Sequence, residues 1–153
     1  MKALSVRSHW WWFILHGGKY IENRDWPTRF RGTVCVHASR WWRTQEVIET
    51  IEDVVGMKNL HGLKLSRTEP LVPRTLKNAG GCIVGTVDIA DCVKESNSPW
   101  FCGEYGFVLA NPVAFMNPIP VKGALGFFEI PDALLDGVEH EAFPVGTDVP
   151  STL

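Results

Sequence analysis

The segment GCIVGTVDIADCV, residues 81–93, constrains the fold of this chain more than any other. Its density of valine and isoleucine suits a pleated, buried surface, so it reads as the clearest strand, with a bulge expected at Gly85. A second β-branched run, Gly32–Ala38, reads as another strand through the core. Shorter strands are expected at 3–6, 20–23, 105–110, 113–119 and 126–130, the third of them closed by Asn111-Pro112. No strand alternates with a helix in the βαβ manner. The expected fold is therefore α+β, a small and mostly antiparallel β-barrel with two or three flanking helices, not a doubly wound sheet.

The helices have their own signals. Ser8 can cap a helix over 9–16 that Gly17 and Gly18 end. Successive residues on a helix point about 100° apart, so Trp10, Trp11 and Trp12 cannot all face one core, and at least one should line a groove or meet solvent. A second helix is expected over 41–55, with Val47, Ile48, Ile51, Val54 and Val55 on one side and Glu46, Glu49, Glu52 and Asp53 on a solvated face. Periodicity then fades through a basic excursion at 56–80, which carries Lys58, Lys64, Arg67, Arg74 and Lys77. The reading is one domain over 1–131 and a C-terminal tail over 132–153, loose from Gly137 onward.

Composition excludes some classes. With 45% hydrophobic and 21% charged residues the chain is neither disordered nor membranous in type, and its longest apolar run, 10–15, is far short of the roughly 18 residues that span a bilayer. The first ten residues lack the continuous apolar region of a signal peptide, so a cytoplasmic protein without membrane association is expected. Cys35, Cys82, Cys92 and Cys102 form no CxxC pair and read as reduced thiols, with no metal site expected. Residues 1–80 hold 13 lysines and arginines against 7 acids, a balance of +6, whereas 81–153 hold 2 against 10, or −8. A basic half suits a polyanion, unless the two halves interleave in space.

That basic half contains GGKYIENRDWPTRFRG, residues 17–32, directly after the tryptophans. With ALSVRSHWWWFILH before it and GTVCVHASR after it, the stretch resembles the amino-terminal half of an ASCH domain, a branch of the PUA-like superfamily. Its signature GxKxxExR is present as Gly17, Lys19, Glu22 and Arg24, and GCIVGTVDIADCV, GEYGFVLANP and PIPVKGALGFFEIP follow in the family's order. The resemblance covers about 3–131. It implies a β-barrel with a cleft between barrel and helix, and a role in binding RNA or handling nucleotides; some relatives are ribonucleases or amidohydrolases acting on acylated cytidine.

The residues themselves give that cleft its chemistry. On a strand Tyr20, Glu22 and Arg24 share a face, over which Lys19 can lean. Arg24 suits a phosphate, Lys19 a phosphate or oxyanion, and Glu22 an exocyclic amine or the role of general base. The bland alternative is a Glu22–Arg24 pair that only holds the barrel mouth. Trp10 or Trp11, Trp26 and Trp100 are candidates to stack on splayed bases, against core packing for each. Arg29 and Arg31 add charge beside Trp26, and Ser39, Ser98, Glu104 and Tyr105 complete the expected walls. If the protein is a ribonuclease, Lys19 would meet the phosphate while Glu22 or Tyr105 moved protons, and a divalent metal could assist; otherwise no cofactor is expected. In the amidohydrolase relatives a threonine stands three residues after the lysine, where this chain has Glu22, which weakens that mechanism here. Single-stranded RNA or a nucleoside or nucleotide is the expected partner, with N4-acetylcytidine the amidohydrolase substrate type. A non-catalytic interaction domain in transcription or translation is the remaining reading.

Overall fold

The computed structural model describes residues 1–7, 9–40 and 78–141. In chain order these form β1 (Lys2–Val6), α1 (Trp10–His16), β2 (Ile21–Arg24), β3 (Gly32–Ala38), β4 (Cys82–Val93), β5 (Tyr105–Pro120), β6 (Phe127–Glu129) and a 3₁₀ turn at Asp132–Leu135. One sheet contains all six strands in the order β2-β5-β4-β3-β1-β6, antiparallel except for the β1–β3 pair. The sheet curls into a half-barrel, the small barrel with few helices that the strand pattern implies. Among the described residues no helix is long and apolar enough to cross a membrane. The expected helix over 41–55 and the excursion up to residue 77 lie outside the described residues, as does Ser8.

Strand parity divides the apolar side chains. Leu4, Val6, Val34, Val36 and Ala38 pack on the concave face with Trp11, Ile14 and Leu15 of α1 and with Phe107. Ala3, Cys35 and Ile83 point the other way, toward Phe115 and Ile130. All four cysteines are free thiols; Cys35 and Cys82 are buried, and Cys102 is exposed.

The β4–β5 ladder shows where turn residues mislead. Thr86 pairs with Val113 and Asp88 with Ala110, so Val87 alone stands opposite Asn111 and Pro112. The expected strand end at Asn111-Pro112 is instead a bulge within one 16-residue strand: Asn111 takes φ 50°, and its amide donates to Asp88 Oδ2 at 2.9 Å. The extra residue lets a proline without an N–H sit in the strand without costing a ladder bond. The bulge expected near Gly85 is present as a register shift between Ile83 and Gly85. Gly85 is required there, because a Cβ would stand 2.3 Å from Val113 O.

Among the described residues the sheet's two edges meet without backbone pairing. β2 ends one edge and β6 the other, and Trp26 closes the gap by packing edge-on against Phe127 at 5.3 Å and Phe107 at 5.1 Å. Residues 132–141, expected as the start of a tail, lie back on the sheet instead: Met116 N–H donates to Glu139 O, and Glu141 N–H to Ala114 O, both at 2.9 Å.

Candidate functional site

The glycine pair explains where Lys19 goes. Gly18 takes the left-handed conformation, φ 74°, and the Lys19 N–H reaches back to Phe13 O at 3.0 Å while Gly17 N–H bonds the same carbonyl at 2.9 Å. This left-handed helix stop turns the chain sharply and lays the Lys19 side chain beneath Trp10, with Nζ 5.3 Å from the ring centroid.

From there the motif closes on itself. Lys19 is 4% exposed and Glu22 8%. The Lys19 ammonium donates to Ile21 O and lies 3.6 Å from Glu22 Oε2. Glu22 Oε1 accepts from Arg24 Nη2 at 2.9 Å, and the same nitrogen donates to Ser5 O at 2.6 Å. β6 reaches only as far as Leu4 on β1, so Arg24 takes up the next carbonyl beyond its end. Arg24 Nε is buried and has no partner among the described residues. Two cations thus share one carboxylate in a largely desolvated place. Burial pulls the Lys19 amine below the ordinary lysine range, with Glu22 opposing.

The expected set is brought together in part. Lys19, Glu22 and Arg24 converge, and Glu22 and Arg24 share a strand face opposite Ile21 and Asn23. Tyr20, just before β2, is 45% exposed. Tyr105 is the register partner of Arg24, with Lys94 Nζ 5.7 Å from its ring. Trp10 is half-buried over Lys19, and Trp26 lies 6.0 Å from the Arg24 guanidinium carbon. Trp11 and Trp100, by contrast, are core residues, 3% and 5% exposed; Trp100 packs toward Phe13, so neither offers a face to a base. Arg29 is exposed. Arg31 is engaged with Asp91 at 3.2 Å and with the carbonyls of Thr28 and Phe30. Ser98 caps its own loop by accepting from Trp100 N–H at 3.2 Å, Glu104 is exposed, and Ser39 lies in the wall of a separate cleft.

Two contributors escaped the sequence. Asn23 pins the loop between β4 and β5, donating to Trp100 O at 2.8 Å and accepting from Cys102 N–H at 2.9 Å; an amide on a strand face shared with isoleucine was the available signal. Ser5 enters through its backbone carbonyl, which no residue type announces. Among the described residues no cluster of ligating side chains fits a metal ion.

No family model matches the chain. It is 23% identical over 134 residues to Activating signal cointegrator 1 of Homo sapiens, an alignment covering 79% of this chain and 21% of that protein. The Mus musculus protein of the same name is 21% identical over 129 residues, again with 79% and 21% covered. The chain therefore spans about a fifth of the length of these curated relatives. The likeness is in keeping with an ASCH-type, PUA-like relationship at low identity.

Proposed function

We propose that this protein binds RNA, with a phosphate or other anionic group of the ligand drawn to the Lys19–Glu22–Arg24 network and a base resting on Trp10 or Tyr20. The observation that carries the reading is the charge imbalance: Lys19 is buried and Arg24 partly so, and among the described residues Glu22 is the one carboxylate paired with either. A desolvated cation without a counter-charge is costly, and an anionic ligand at the mouth of the network would supply one. The similarity to Activating signal cointegrator 1 and the ASCH resemblance support RNA over other polyanions.

The test is fluorescence anisotropy with a labelled single-stranded RNA over a range of salt. Wild-type protein should bind with a log–log salt slope of about −0.7 per phosphate engaged, and Tyr20→Ala and Arg24→Lys should each weaken binding several-fold while the fold persists. Affinity unchanged in both variants would refute the placement.

A hydrolytic reading has one observation in its favour, the lowered basicity of Lys19 beside a buried carboxylate. A lysine that sheds its proton more readily can act as base or nucleophile. Chromatography of RNA and of N4-acetylcytidine after incubation with wild type and Lys19→Ala decides it: products that vanish in the variant support hydrolysis, and intact substrates refute it.

A further inference from the structure

On the convex face of the sheet, opposite the Lys19 network, lies a cleft of about 770 Å³ whose polar side chains are Ser5, His37, Ser39, Arg40 and Lys122. We infer that this cleft is a second anion site, built to take a phosphate group between Arg40 and Lys122.

Its floor is preorganised. Val121 O can only accept, so His37 Nε2 carries the hydrogen and donates to it at 2.8 Å, and the Ser5 hydroxyl donates to Nδ1 at 3.0 Å. His37 is 3% exposed and thereby ties the segment after β5 to the sheet, which sets Lys122 at the rim. Gly123 allows the tie: a Cβ there would stand 2.5 Å from His37 Cε1 and 3.0 Å from Ser5 Oγ. Across the cleft Arg40 lies over Gly81, where φ is 82° and a Cβ would stand 2.5 Å from Arg40 Nε. Side chains at 81 and 123 would fill the space these glycines keep open.

The charge is one-sided. Among the described residues, the cleft that Arg40 and Lys122 line has no carboxylate in its wall, and neither cation takes part in an ion pair. Two cations facing one cavity match the oxygens of a phosphate. Leu125, 98% exposed, adds an apolar edge that suits a phosphate joined to a nucleoside. That phosphate could belong to an RNA strand or to a free nucleotide.

The experiment compares wild type with the double variant Arg40→Ala, Lys122→Ala. Both side chains are exposed, so the melting temperature should hold. Amide NMR spectra would be followed during titration with inorganic phosphate and with adenosine monophosphate, and RNA anisotropy would be followed against salt. Saturable shifts at Lys122 and Gly123 that disappear in the variant establish a free phosphate or nucleotide site. Silence toward both small probes, with the RNA salt slope shallower in the variant by about 0.7 for each phosphate no longer engaged, assigns the cleft to an RNA phosphate. If neither effect occurs, the inference is overturned. Wild-type protein that saturates with phosphate yet ignores RNA would refute the RNA proposal and leave this site standing.

Discussion

Replacing Glu22 by glutamine tests the charge balance on which the functional reading depends. Glutamine keeps the shape and an acceptor for Arg24, so the change removes one negative charge and little else. The carboxylate lies 2.9 Å from Arg24 Nη2 and 3.6 Å from Lys19 Nζ, and each attraction is worth about 5–6 kcal/mol at an effective dielectric of 20. Breaking a buried pair by removing one partner costs about 3–5 kcal/mol. Lys19, already drawn below the usual lysine range, can release its proton, which places the expected loss near the lower limit, about 3 kcal/mol. For a chain of this size that lowers the melting temperature by about 6–12 °C. Thermal denaturation at pH 7, followed by circular dichroism, measures it. The companion Lys19→Met in the Glu22→Gln background should restore a good part of the loss, because it removes the orphaned charge. A shift below about 2 °C for Glu22→Gln, or losses that simply add in the double variant, would refute the shared-carboxylate account.

Two further outcomes follow from the fold. Burial, aided by the Arg7 guanidinium, holds His9 down at about 4 against 6.5 for an unhindered histidine; the unfolded chain therefore binds the proton more readily, and this stability is present above pH 6.5 and lost as pH falls through 4, up to about 3 kcal/mol. Urea unfolding of wild type and His9→Gln between pH 7 and pH 4 should show a flatter dependence in the variant, and identical slopes would contradict the assignment. Gly85→Ala drives a methyl to 2.3 Å from Val113 O and 2.9 Å from a Leu15 methyl, which should cost about 2–3 kcal/mol; an unchanged melting temperature would mean that β4 and β5 do not approach so closely.

Much of the fold is written in local composition. The run from 81 to 93 is β4, Gly32–Ala38 is β3, and the glycine pair stops α1 where its chemistry demands. Asn111-Pro112 misleads because these residues favour a turn in isolation, whereas a ladder with a spare position can absorb them as a bulge. In the site, the charged trio is legible because a lysine, a glutamate and an arginine at that spacing converge once the glycine turn and the strand are granted. The tryptophans are not. Trp10 and Trp11 are chemically identical, and which of them faces the core depends on where α1 rotates against Leu4 and Val6, a tertiary choice that neither residue encodes. Ser5 was invisible for another reason: its two roles, a carbonyl for Arg24 and a hydroxyl for His37, exist only after β1 is placed beside β3.

The unpaired seam between β2 and β6 gives this barrel a grain, like a plank that splits along one direction only. Prising it open breaks no rung of the sheet; it parts Trp26 from Phe127 and frees Ser5 O from Arg24. Breathing should thus concentrate along one line of the molecule while the β3–β4–β5 wall stays intact. The guanidinium at that line also belongs to the charged trio, so a bound anion that fixes Arg24 would act as a clasp, and occupancy would be felt as stiffness of the whole half-barrel.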